Sequence, residues 1–269
     1  MSQNATSPLH IRNLDPVNWI GLWVLTRKET LRFVKVYAQT IVAPVISTLL
    51  YYIIFSIAVG GSSRMIDNIP YLSFLVPGLI MMSMAQNAFA NTSSSLVISK
   101  VQGNIVDILM PPLSAFELTV GYTLGGIARG LSVGTITLLA LVAFTKVPLM
   151  HVGYIVYFGL MGSMMLALLG LIGGLWSEKF DHMAAVQNFI IMPATFLSGT
   201  FYSADHLPRI WKVICHINPF FYMIDGFRYG FINISDGSIS GGLVVMAFCN
   251  MLLLWVSYRM FKTGYKLKS

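Results

Sequence analysis

The chain has 269 residues, of which 56% are hydrophobic and only 10% charged, with a mean hydropathy of +0.73 and a formal net charge of +7. A charged fraction so far below the roughly 25% of ordinary globular domains excludes a water-soluble fold, and the long apolar runs exclude disorder. What remains is an integral membrane protein with several spans, in which an excess of Lys and Arg reflects topology rather than affinity for nucleic acid.

Residues 1–35 do not read as a cleavable signal, because Arg27, Lys28, Arg32 and Lys35 interrupt any continuous apolar core. Asp15-Pro16 is a good helix start, and after it Trp19, Ile20, Trp23, Val24, Leu31 and Val34 recur at roughly helical spacing with the basic residues between them. The pattern predicts an amphipathic helix in the membrane interface, tryptophan side in the lipid.

Six windows then have the length of about 20 mostly apolar residues that a helix needs to cross a bilayer. They are 36–60, 74–98, 120–144, 152–176, 184–202 and 241–260. In the second, Ser83, Asn87, Asn91 and Ser94 share one helical face, and in the fifth Asn188, Thr195, Ser198 and Tyr202 are roughly aligned. Such polar stripes avoid lipid, so they either bond helices together or line a substrate path. Between spans two and three, the segment 99–116 places Val101, Ile105, Ile108 and Leu109 at helical spacing. Gln102, Asn104 and Asp107 are left to face a partner, and Pro111-Pro112 would end this short helix.

Span three carries Gly121, Gly125, Gly126, Gly130 and Gly134, a G-x-x-x-G spacing that lets helices approach closely within one protomer or at a dimer seam. Arg129 lies among them and needs a partner, a wet cavity or a route to a headgroup. After span five, the run 203–240 is broken by Asn218-Pro219 and carries Asp225 and Arg228, so each half is too short to span. It is expected to be a re-entrant helical hairpin in the outer leaflet. Its Phe220, Phe221, Tyr222, Phe227 and Tyr229 are either interfacial anchors or an exit gate, the latter held shut by pairing of Asp225 with Arg228.

With six spans both termini share a side. That side collects the basic residues of the N-terminal helix, Lys100, Lys179, and Arg259, Lys262, Lys266 and Lys268, so both termini are expected to be cytoplasmic. No His, Asp or Glu lies within the spans, and the five histidines are scattered over termini and loops, which disfavours an intramembrane enzyme, a metal site and proton coupling. Cys215 and Cys249 are too few for a disulfide scaffold, and no G-x-x-x-x-G-K-[ST] phosphate loop occurs. If the chain moves anything uphill, another chain supplies the energy. The alternative from another class is a passive channel or membrane scaffold without ATP coupling.

The run PATFLSGTFY at 193–202, Leu207-Pro208, NPFFY at 218–222 and Gly226-Phe227-Arg228 resembles the signature of the ABC-2 type permeases, the membrane subunits of ATP-binding-cassette exporters. DILMPPLS at 107–114 is a second point of similarity, and the resemblance covers nearly the whole chain, being nearest to the single-domain bacterial branch that contains the nodulation-factor exporters. The resemblance implies an all-α half-transporter in a bacterial inner membrane, with two copies of the chain paired with two separate ATPase subunits that use ATP and Mg. No cofactor on this chain and no nucleic-acid partner are expected. It implies outward movement of an amphipathic, lipid-linked or hydrophobic compound. Under it, the helix within about 99–116, with Gln102, Asn104, Asp107, Pro111 and Pro112, becomes the ATPase-coupling element, beside an interface helix within 1–35. Residues 36–269 become a single transmembrane domain. Ser83, Asn87, Asn91, Asn188, Thr195, Ser198 and Tyr202 are the expected substrate path, and Phe220, Phe221, Tyr222, Asp225 and Arg228 the expected outer gate.

Overall fold

One helix organises the molecule. In the computed structural model, which describes residues 17–58, 65–66, 69–145 and 147–267, helix α3 (Tyr71–Val101) runs through the bundle for about 46 Å at 1.5 Å per residue. Of its most apolar stretch 83% is buried, against 17% for α2 (Ala38–Ala58) and for α11 (Ile239–Thr263). α3 is therefore the core, and the other two turn most of their surface outward. A short antiparallel pair, β1 (Met65–Ile66) and β2 (Ile69–Pro70), leads into α3.

α5 (Ala115–Val142) and α6 (Val152–Trp176) close on α3 through glycines. A Cβ on Gly126 would press on Thr92 and Ala167, one on Gly130 on Ser163 and the Met84 carbonyl, and one on Gly170 on Phe89. Small residues here let backbones touch, and the Thr92 hydroxyl uses the closeness to donate to the Ala167 carbonyl at 2.7 Å. All five span-three glycines thus face neighbours in the same chain.

Among the described residues five helices, α2, α3, α5, α6 and α11, are long and apolar enough to cross a membrane, and each coincides with an expected window. The window at 184–202 is built differently. α7 (Phe180–Val186) passes through a π-helical segment (Gln187–Ile191) into α8 (Met192–Phe196). The helix stops short of Tyr202 because Gly199 takes φ +74°, a left-handed conformation open to glycine.

At one end of the bundle, α3 runs past its expected limit to Val101, so the connecting segment is shorter than 99–116 and its helix, α4, is only Ile105–Leu109. Beside it lies α1 (Trp19–Lys35), whose N-cap is Asn18 rather than a residue at Asp15-Pro16, a pair that lies outside the described residues. At the other end, α9 (Arg209–Ile217) and α10 (Pro219–Ile232) meet at Asn218. Asn218 caps α10 by accepting from the Phe220 N–H at 3.1 Å, and its amide donates to the Ala194 carbonyl and the Ser198 hydroxyl, each at 2.9 Å. α9 leaves Ile210, Trp211, Val213 and Ile217 exposed, whereas α10 is largely buried.

Candidate functional site

Three structures concentrate the polar chemistry. The first is a clasp where α1, α4 and α5 converge. Ser114 and Glu117 form a capping box at the start of α5, the Glu117 carboxylate accepting from the Ser114 N–H at 2.6 Å. Its second oxygen accepts from the Asn18 N–H at 2.5 Å, so one side chain ties down the starts of two helices. The Asn18 amide also donates to the Pro112 carbonyl at 3.3 Å. Gln102, Asn104, Asp107, Pro111 and Pro112 are all exposed beside this clasp. The first three line a polar cleft of about 320 Å³ whose opposite wall includes Lys28 and Arg32 of α1.

The second is a buried seam where α1 is inserted against α3 and α5. A Cβ on Gly121 or Gly125 would strike Leu25 or Glu29, which is why those two glycines accommodate a surface helix. Glu29 is fully buried; its carboxylate accepts from the Ser95 hydroxyl at 2.9 Å and pairs with Arg32 at 3.2 Å. Arg32 continues to the Asn91 backbone carbonyl at 2.6 Å, the Asn91 side-chain oxygen at 3.1 Å and the Ser94 hydroxyl at 3.2 Å. One turn along α3, Arg129 of α5 donates to the Asn87 side-chain oxygen at 2.9 Å. Arg129 therefore has a protein partner.

This seam takes up three residues of the expected substrate path. Ser83, Asn87 and Asn91 are buried inside the chain, where Asn91 bonds α3 to α1 and Asn87 bonds it to α5. They act as helix glue, because two arginines on neighbouring helices occupy the side-chain oxygens of both amides. In the 184–202 segment, Thr195 and Ser198 are also buried, each donating to a carbonyl one turn back. Asn188 is exposed, and Tyr202 lines a cleft of about 420 Å³ beneath α9. The structure does not bring the two stripes together.

The third is the hairpin end. Arg228 is buried, with its guanidinium 3.9 Å from the centre of the Phe74 ring and a bond to the Gly199 carbonyl at 2.5 Å. Asp225 accepts instead from the N–H groups of Asp236 and Gly237 and from the Ser235 hydroxyl. The expected Asp225–Arg228 ion pair is absent among the described residues, since each group is claimed by a different stretch of backbone. The aromatics pack inward to different degrees. Phe220, Phe221 and Phe227 are buried in the core, Tyr222 is half-buried, and Tyr229 stacks on His151 at 5.2 Å.

The pattern of ABC-2 type transporters matches residues 21–232, from α1 through the end of α10. The chain belongs to that family. An inner membrane transport permease, YadH, of Escherichia coli is 37% identical over 240 residues, covering 88% of this chain and 94% of the relative. Nodulation protein J of Sinorhizobium fredii is 22% identical over 238 residues, covering 87% and 88%, and that of Rhizobium meliloti 23% identical over 238 residues, covering 86% and 87%. The chain is thus a multi-pass permease of the ABC-2 type.

In this permease, reading the sequence missed Asn18, Glu29 and Glu117. Glu29 carried a usable signal: it is the single acid in a basic helix, three residues before Arg32. No group of three His, Cys, Asp or Glu side chains among the described residues is placed to hold a metal ion.

Proposed function

We propose that the chain is the membrane subunit of an ATP-driven exporter that carries an amphipathic, lipid-linked or hydrophobic compound outward across a bacterial inner membrane. In this reading the helical stretch 180–196 is the fifth of six spans, both termini are cytoplasmic, and the α9–α10 hairpin re-enters the outer leaflet as a gate. Residues 1–35 serve as tail and interface helix, and 36–269 as one transmembrane domain. Two copies pair, and a separate ATPase docks beneath each, binding ATP and Mg.

The observation that carries the reading is the exposure of Gln102, Asn104, Asp107, Pro111 and Pro112 on a segment tied through Asn18 and Glu117 to the starts of α1 and α5. A push on α4 reaches two helices at once, as coupling to a cytoplasmic motor requires. The family supports a transporter, and the name of the Escherichia coli relative supports the inner membrane. The path is narrowed to the side of span five that carries Asn188 and Tyr202.

Purification from the native membrane in mild detergent tests the proposal. Co-elution of an ATPase subunit, with hydrolysis lost when residues 107–111 are altered, is the expected result; a lone chain without ATPase activity sinks it.

A further inference from the structure

A groove of about 430 Å³ lies between α6, the α7–α8 stretch and α11, and every residue lining it is apolar. Along α6 it extends from Met165 to Trp176, about 16 Å of helix axis, or roughly half the ~30 Å hydrocarbon core. That is the depth of one leaflet. Ile190 and Leu252 on its rim are well exposed, and Pro219 and Phe220 at the start of α10 line the end away from Trp176.

The groove opens, at the end of the bundle that carries α4, beside Trp176, the last residue of α6 and 43% exposed. Indole rings at such a position sit at headgroup level. Lys266 Nζ lies 5.8 Å from that ring's centre, and the His182 ring 5.6 Å. Lys100 donates to the Leu175 carbonyl and, at 3.2 Å, to the Ser177 carbonyl, with Lys179 exposed nearby. The carboxylates here are Glu178, which pairs with Lys266 at 2.8 Å, and Asp181. The Lys266 hydrogen bond holds the Glu178 carboxyl below its usual range, so it is charged at neutral pH. Even so, three lysines face two acids.

From an apolar channel one leaflet deep that ends in an indole and a cationic rim, we infer that this groove is a binding site for an anionic phospholipid, one acyl chain lying along α6 and the headgroup over Trp176. The lipid is of the cytoplasmic leaflet, which rests on the topology proposed above. A neutral lipid fills the channel equally well but gains nothing at the rim, where each lysine near an anionic surface contributes on the order of 1 kcal/mol, or about fivefold.

The test uses the full chain in nanodiscs with Trp19, Trp23, Trp211 and Trp255 changed to Phe, leaving Trp176 as the fluorophore. Phosphatidylglycerol brominated high on its acyl chain should quench Trp176 at about fivefold lower mole fraction than brominated phosphatidylcholine. Lys266→Ala with His182→Ala should bring the two curves together, and Cys249→Phe, which fills the channel, should weaken quenching by both. Equal quenching by the two lipids in the parent protein overturns the site, as does an unchanged preference in the Lys266/His182 variant. Quenching by neither lipid, which a second copy seated in the groove would produce, overturns it too. None of these readings needs the ATPase or transport, so the lipid site and the exporter reading fail separately.

Discussion

The Glu29 carboxylate accepts the Ser95 hydroxyl at 2.9 Å inside the protein, although Glu29 belongs to a basic surface helix and Ser95 to the core helix. α1 is thereby anchored to the bundle. Removing the carboxylate leaves Arg32 facing Asn91 without its counter-charge. Glu29→Ala should cost about 3 kcal/mol, since breaking a buried pair strands the remaining ion, with some relief because Arg32 is 29% exposed. Glu29→Gln keeps an acceptor for Ser95 and should cost clearly less. Thermal unfolding in detergent ranks the two, and equal Tm values would show that the charge is immaterial.

Gly125 backs directly onto the Glu29 side chain. Gly125→Leu should lever α1 out of its seat while α5 keeps its helix, because leucine is a good helix former. Limited trypsin digestion reads this out, with cleavage at Arg27 and Lys28 faster than in the parent protein.

Asp107 is exposed at the rim of the polar cleft between α4 and α1. Asp107→Ala should leave Tm unchanged within about 0.5 kcal/mol of stability, as usual for surface changes, and yet lower ATPase activity in the assembled complex. A parallel loss of Tm and activity would mean that α4 is a structural turn.

Arg228 acts through its plane, stacked on Phe74, as well as through its charge. Arg228→Lys removes both the stack and the fork of donors, so it should be nearly as damaging as Arg228→Ala, each costing roughly 3 kcal/mol. Asp225→Asn should instead loosen the 235–237 turn that its carboxylate organises, detected as faster amide exchange at Asp236 and Gly237. Lysine restoring the Tm would show that charge alone matters at Arg228.

Much of the fold was legible because a bilayer makes length and hydropathy decisive: a helix must satisfy its own backbone bonds and offer about 20 apolar residues. Five windows therefore landed on helices, and the break at Asn218-Pro219 was foreseen from proline's missing N–H. The 184–202 window was less legible, since nothing in composition announces a π-helical segment or a glycine leaving the helix at φ +74°. The polar stripes were correctly seen to avoid lipid, but whether they bond or conduct was open.

That choice belonged to tertiary structure. Sequence by itself determined the five long apolar helices found among the described residues, the basic surface helix and the break at Pro111-Pro112, because each follows from local transfer free energies and backbone chemistry. Only packing decided that Asn87 and Asn91 are occupied by Arg129 and Arg32, and that Asp225 and Arg228 turn to different backbone groups. It likewise decided that Glu117 joins two helix starts. A hydrogen bond depends on which atoms arrive within about 3 Å of each other, and for pairs such as Asn87–Arg129 and Asn18–Glu117, 42 and 99 positions apart, no periodicity carries that information.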